Sequence, residues 1–174
     1  MHTLDARRSI SPGSVSIEER WASAGVSHPS DWFFVPKPLA RPLTRLFCFP
    51  YACGSVQIFR SWISALPEFV ELVAMQLPGR GSRLTEACFV QIGPAADQAA
   101  DAIAQLGEPN VMLFGHSMGA LLAYEVTRRL EERYALIPQC LLVSGYKSPT
   151  TMRTGHKYHL CDDTEFIAKI RELG

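Results

Sequence analysis

The chain has 174 residues, an apolar share of 47% and 17 basic against 17 acidic side chains. This is one domain's worth of ordinary globular sequence, with no charge excess to favour nucleic acid or an anionic membrane surface. No apolar run approaches a membrane span, Met1 to Ser16 lacks the apolar core of a signal peptide, and the five cysteines show no Cys-x-x-Cys spacing, so the expected setting is the cytoplasm with reduced thiols, no disulfide framework and no metal site.

In chain order, residues 1–30 read as an N-terminal extension, disordered apart from an amphipathic fragment from Ile17 to Ala24. Residues 31–155 carry the expected α/β core. Trp32-Phe33-Phe34-Val35 is a short apolar run closed by Pro36 and Pro38, read as a strand. Leu46-Phe47-Cys48-Phe49 reads as a buried strand ended by Pro50, followed by a tight loop from Tyr51 to Ser55. Ile58, Phe59, Trp62, Ile63 and Leu66 make a helical stripe. Leu72 to Met75 is the next strand, and Pro78-Gly79-Arg80-Gly81 opens a loop. Pro94 to Leu106 is alanine-rich and helical. Val111 to Phe114 is a strand, Ala120 to Glu132 a helix, and Leu141 to Val143 a further strand reaching Ser144 and Gly145. Cys48 and Cys140 lie within apolar runs and are expected in the core.

The last segment, 156–174, holds a short amphipathic helix. Asp162 and Glu165 have the spacing of a capping box, Phe166, Ile167, Ile170 and Leu173 share one face, and Gly174 stands where a glycine ends a helix.

Strands alternate with helices, and the strands are apolar throughout. That pattern predicts an α/β fold with a mostly parallel sheet covered on both faces. Ligands bind such sheets at the carboxyl ends of the strands. The loops at Pro50, Pro78, Gly115 and Ser144 are therefore expected to converge on one site.

At the centre of that site stands Gly115-His116-Ser117-Met118-Gly119, set between the strand and the helix. Gly-x-Ser-x-Gly in this context lifts a serine hydroxyl above the sheet on a strained turn. A Cβ at either glycine would crowd that turn. Ser117 is the expected nucleophile.

Four segments read together resemble the type II thioesterases that accompany polyketide synthases and nonribosomal peptide synthetases. They are Leu46-Phe47-Cys48-Phe49-Pro50-Tyr51-Ala52-Cys53-Gly54-Ser55, Gln76-Leu77-Pro78-Gly79-Arg80-Gly81, Leu113-Phe114-Gly115-His116-Ser117-Met118-Gly119-Ala120 and Val143-Ser144-Gly145. The resemblance runs from about Trp32 to Gly174. It implies an α/β-hydrolase that clears acyl groups from the phosphopantetheine thiol of acyl or peptidyl carrier domains, in an editing role and without a cofactor. It implies catalysis by a Ser-Asp-His triad with Ser117 as nucleophile, and an oxyanion hole from the backbone N–H groups of Met118 and Ala52. It also implies that 156–174 begins a helical lid. The same pattern covers medium-chain thioesterases of fatty-acid synthase, so the carrier system stays open.

The sequence departs from the family in two ways. Position 53 is usually glycine in the family and is Cys53 here, which predicts strain if the position needs a positive φ. The family's triad aspartate and histidine, and its last strands, have no counterpart in these residues. The expected consequences are an open apolar edge at Leu141–Val143 and a chain prone to association. Two alternatives to an active thioesterase therefore stay in view, an inactive remnant and a noncatalytic carrier-binding module.

Other candidates read as structural. His116 adjoins Ser117 but points elsewhere on an elbow and is expected to be scaffold. His156 and His159, with Cys161, Asp162 and Asp163, read as a solvated loop and a helix cap rather than a metal motif. Arg80 and Arg83 read as solvated loop charges, with a phosphate contact as the alternative.

Overall fold

The computed structural model of the protein describes residues 29–106, 110–148 and 161–172. Five strands form its sheet: β1 (Phe33–Phe34), β2 (Thr44–Phe49), β3 (Val70–Met75), β4 (Asn110–His116) and β5 (Cys140–Ser144). Their spatial order is β1-β3-β2-β4-β5. β1 runs antiparallel to β3, and the pairings of β2 with β3, β2 with β4, and β4 with β5 are parallel. The predicted mostly parallel α/β architecture is the observed one.

One face of the sheet is covered by helices α1 (Ile92–Gln105) and α2 (Met118–Tyr134). Phe47, Phe49, Val73, Met75, Val111 and Leu113 pack there against the alanines of α1 and against Leu122, Val126 and Leu130 of α2. The small alanine side chains let α1 lie close to α2 and to the strands. An ion-pair network joins the two helices on the outside: Asp97 accepts from Arg129 (2.5 Å) and Arg133 (2.7 Å). Tyr134 Oη donates to Asp101 at 2.5 Å.

The other face, formed by Leu46, Cys48, Leu72, Ala74 and Phe114, is covered by Val56, Phe59 and Trp62. Here the structure corrects a sequence expectation. The stripe predicted as a helix is a run of 3₁₀ turns, Val56–Ser64. Val56, Phe59 and Trp62 are three apart and eclipse one another in 3₁₀ geometry. Phe59 and Trp62 then meet Phe114 edge-on, at centroid distances of 6.1 and 4.8 Å.

Among the described residues β5 forms the open apolar edge expected at Leu141–Val143. Apolar strands predicted burial on both faces, and that holds for β2 and β3, whereas β4 alternates, with Val111, Leu113 and Gly115 buried and Met112, Phe114 and His116 half-buried. In β5, Leu142 and Val143 are 43% and 50% exposed, and Cys140 is only half-buried. β5 is an edge strand among the described residues and has a partner on one side alone.

The last helix, α3, spans Asp163–Glu172. Its predicted cap is present, with the Glu165 amide donating to Asp162 Oδ1 at 2.9 Å. The predicted disordered extension lies outside the described residues except at its end, where Pro29–Trp32 forms a 3₁₀ turn.

Candidate active site

Four loops leave the carboxyl ends of β2, β3, β4 and β5, and direct contacts link them. The elbow comes first. Ser117 has φ 55° and ψ −120°, a conformation that L-residues rarely adopt. Strain of this kind costs on the order of 1–3 kcal/mol and persists only where the surroundings enforce it. Those surroundings are backbone. A Cβ on Gly115 would overlap the Gly119 carbonyl, and a Cβ on Gly119 would overlap the Phe49 carbonyl. The two glycines are thus required by close approach, as the motif predicts. The approach at Gly119 also brings the start of α2 against the end of β2, beside the loop that holds Ala52.

The Ser117 amide donates to the Ser144 carbonyl at 2.8 Å, which ties the elbow to the end of β5. The Ser117 carbonyl accepts from Ala120 and so opens α2 (3.0 Å). Met118 is the first residue of that helix. Its amide is one of those a helix leaves without an internal partner, at the positive end of the dipole.

His116 is scaffold, as its position on the elbow suggests. Its Nδ1 lies 3.1 Å from Ser144 Oγ. Its ring meets the Tyr51 ring edge-on at 6.0 Å. Gly145, at φ 63°, leaves room for it, since a Cβ there would fall 2.5 Å from His116 Cε1. His116 is the one histidine among the described residues, and it faces Tyr51 and Ser144. His156 and His159 lie outside the described residues.

After β2 the chain turns at Tyr51-Ala52-Cys53-Gly54, closed by the Gly54 amide on the Tyr51 carbonyl (2.9 Å). Cys53 has φ 62°. A positive φ at the third position is the pattern of a type II turn, which normally carries glycine there. The strain expected at Cys53 is therefore present. Ala52 and Cys53 are exposed.

The reading as a solvated charge does not hold for Arg83, while Arg80 is half-exposed. Arg83 is 4% exposed. Its guanidinium stacks over Trp32 at 4.7 Å, donates to the Gln76 carbonyl (3.0 Å) and pairs with Glu86 (2.6 Å). Arg80 turns inward across the site, and its Nη1 reaches the carbonyls of Tyr51 and Gly54, each at 3.4 Å. The sequence placed both residues on the right loop, yet side-chain direction there depends on the packing of Trp32 and Gln76, which no local pattern reports.

Among the described residues no group of three or more His, Cys, Asp or Glu side chains is placed to hold a metal ion, and no helix is long and apolar enough to cross a membrane. The thiol nearest the sheet centre, Cys48, is pushed far up in pKa by burial and is no nucleophile.

Comparison with known proteins agrees with this geometry. The thioesterase domain family matches residues 44–174. Linear gramicidin dehydrogenase LgrE of Brevibacillus parabrevis is 34% identical over 145 residues, covering 83% of this chain and 55% of that protein. The thioesterase PikA5 of Streptomyces venezuelae is 35% identical over 137 residues, covering 78% of this chain and 48% of that protein. The solved type II thioesterase BorB, from the borrelidin biosynthetic cluster, superposes with a TM-score of 0.74 at 35% identity, covering 84% of this chain and 60% of its own. The chain thus spans about half to three fifths of the length of the relatives it matches.

Proposed function

The chain belongs to the thioesterase domain family, and we propose that it carries the nucleophile and oxyanion hole of a serine thioesterase acting on acyl groups borne by carrier domains. The observation that carries this reading is Ser117, held at φ 55° between two glycines whose Cβ positions are filled by backbone. Backbone strain built around a serine hydroxyl at the end of a parallel strand serves nucleophilic attack.

The chemistry follows from the atoms. Ser117 Oγ attacks the thioester carbonyl carbon, and its proton passes to a base. The carbonyl oxygen becomes an oxyanion, which the N–H groups of Met118 and Ala52 would stabilise. Loss of one such donor typically slows a hydrolase about 10²- to 10³-fold. The C–S bond then breaks, the thiol leaves with the proton, and water hydrolyses the Ser117 ester to free the acid. His116 faces Ser144 and Tyr51, so the base in this scheme comes from outside the described residues.

The carrier-bound substrate is argued from the relatives. PikA5 is named a thioesterase, and BorB comes from a biosynthetic cluster for borrelidin. An editing enzyme of polyketide or nonribosomal peptide assembly, taking acyl chains from the phosphopantetheine thiol, fits both. α3, within 156–174, would then belong to the lid over the acyl chain. Although LgrE is named a dehydrogenase, the chain matches a thioesterase domain and carries the elbow of a hydrolase.

The test is hydrolysis of an acyl-carrier-protein thioester by the chain and by Ser117→Ala. Removing the serine of a complete triad lowers kcat by about 10⁶-fold, so hydrolysis in the mutant should fall by orders of magnitude. Hydrolysis above buffer that persists undiminished in folded Ser117→Ala would refute the reading.

A further inference from the structure

The turn that carries Ala52 is not held by its own sequence. Its third residue, Cys53, sits at φ 62° without the freedom of glycine. One internal bond closes it, from the Gly54 amide to the Tyr51 carbonyl. Ala52 and Cys53 are exposed, so packing does not fix them either. Yet an oxyanion donor acts only when its direction is set before the charge forms.

The missing restraint comes from the neighbouring loop. Arg80 Nη1 reaches both carbonyls at the ends of the turn, Tyr51 O and Gly54 O, at 3.4 Å each. One guanidinium nitrogen thus bridges the first and last residues of the turn. The base of Arg80 is itself fixed. Its carbonyl accepts from Gln76 Nε2 (2.5 Å) and from the Arg83 amide (2.9 Å). Gly79 and Gly81 flank it at φ 76° and 53°. A Cβ on Gly81 would fall 2.7 Å from Gln76 Nε2, the atom that holds the Arg80 carbonyl. Buried Arg83, stacked on Trp32, anchors the far end of the loop through the Gly79 amide on its carbonyl (2.9 Å).

We propose that Arg80 is a positioning residue that clamps the Tyr51–Gly54 turn and so aims the Ala52 N–H at the oxyanion. The clamp rests on the thioesterase reading for its purpose, though not for its existence. Both contacts come from Nη1, at the far end of the guanidinium, whereas a lysine ammonium ends one bond shorter on a flexible stem. Arg80→Lys should therefore restore only part of what Arg80→Ala loses.

The experiment has two arms on the full chain. The first is amide hydrogen exchange at Gly54, with the buried α2 residues Val126 and Leu130 as controls for global stability. In Arg80→Ala, Gly54 exchange should rise about tenfold or more while the controls hold, with Arg80→Lys in between. Unchanged Gly54 exchange, or an equal rise everywhere, overturns the proposal. The second arm is hydrolysis of an acyl-carrier-protein thioester. Arg80→Ala should lower kcat by about tenfold or more with KM within about twofold, because an oxyanion donor acts in the transition state. A raised KM at unchanged kcat would make Arg80 a substrate contact and overturn the clamp. Hydrolysis that persists undiminished in Ser117→Ala would sink the thioesterase reading instead, with Gly54 exchange still deciding the clamp.

Discussion

The amide of Ser117 and the carbonyl of Ser144 lie 2.8 Å apart. This bond joins the residue after β4 to the last residue of β5, continuing the parallel ladder in which His116 sits opposite Ser144. The strained serine is therefore an extension of the sheet. Its conformation is held by strand pairing on one side and by the Gly119 contact with Phe49 on the other.

Gly119→Ala tests the second restraint. The added methyl would meet the Phe49 carbonyl, which belongs to a buried strand and cannot yield without moving β2. Overpacking of this kind costs about 1–3 kcal/mol. The variant should unfold at lower urea and lose Ser117-dependent hydrolysis although Ser117 remains. Unaltered stability would mean that the close approach is not needed.

Cys53 offers a test of strain in the Ala52 turn. At φ 62° a β-branched side chain is a worse fit than cysteine, and glycine is a better one. Cys53→Gly should exceed Cys53→Val in stability by about 1 kcal/mol or more. Equal urea midpoints for the two variants would show that the turn relaxes at no cost.

Asp97 gives a pH dependence with a definite sign. Burial alone would raise its pKa, but the hydrogen bond from Arg129 and the charges of Arg129 and Arg133 outweigh that and hold it below its ordinary value of 3.8. A carboxylate depressed in the folded state stabilises fully above its unfolded pKa, near 4, and that stability is lost as pH falls through the folded value. Asp97 is partly exposed, so the contribution at pH 7 is about 1 kcal/mol or less. In urea titrations the gap between the protein and Asp97→Asn should be widest at pH 5 to 7 and should close below about pH 4. A gap that stays constant with pH would exclude this origin.

Much of the site can be read along the chain. Gly115-His116-Ser117-Met118-Gly119 between an apolar strand and a helix located the strained serine turn, because the steric demands of that turn are local. The strain at Cys53 was expected only conditionally, from the glycine usual there in the family it resembles, and the structure supplied the positive φ. Val56–Ser64 was harder, since Phe59 and Trp62 fit an α-helical stripe as well as a 3₁₀ one. What separates the two is contact with Phe114, which lies on a different strand.

By itself, the sequence determined which segments are strands, that most of them pair in parallel, and that Ser117 stands at the end of one of them. Those outcomes depend on apolar runs, glycines and spacing, all of which act over a few residues. The tertiary structure alone decided where Arg80 and Arg83 point, and that Tyr51, His116 and Ser144 meet. A long charged side chain on a loop has many rotamers of nearly equal energy. Its direction is set by the partners that reach it, and Tyr51 and Gly54 reach Arg80 from 29 and 26 residues away along the chain.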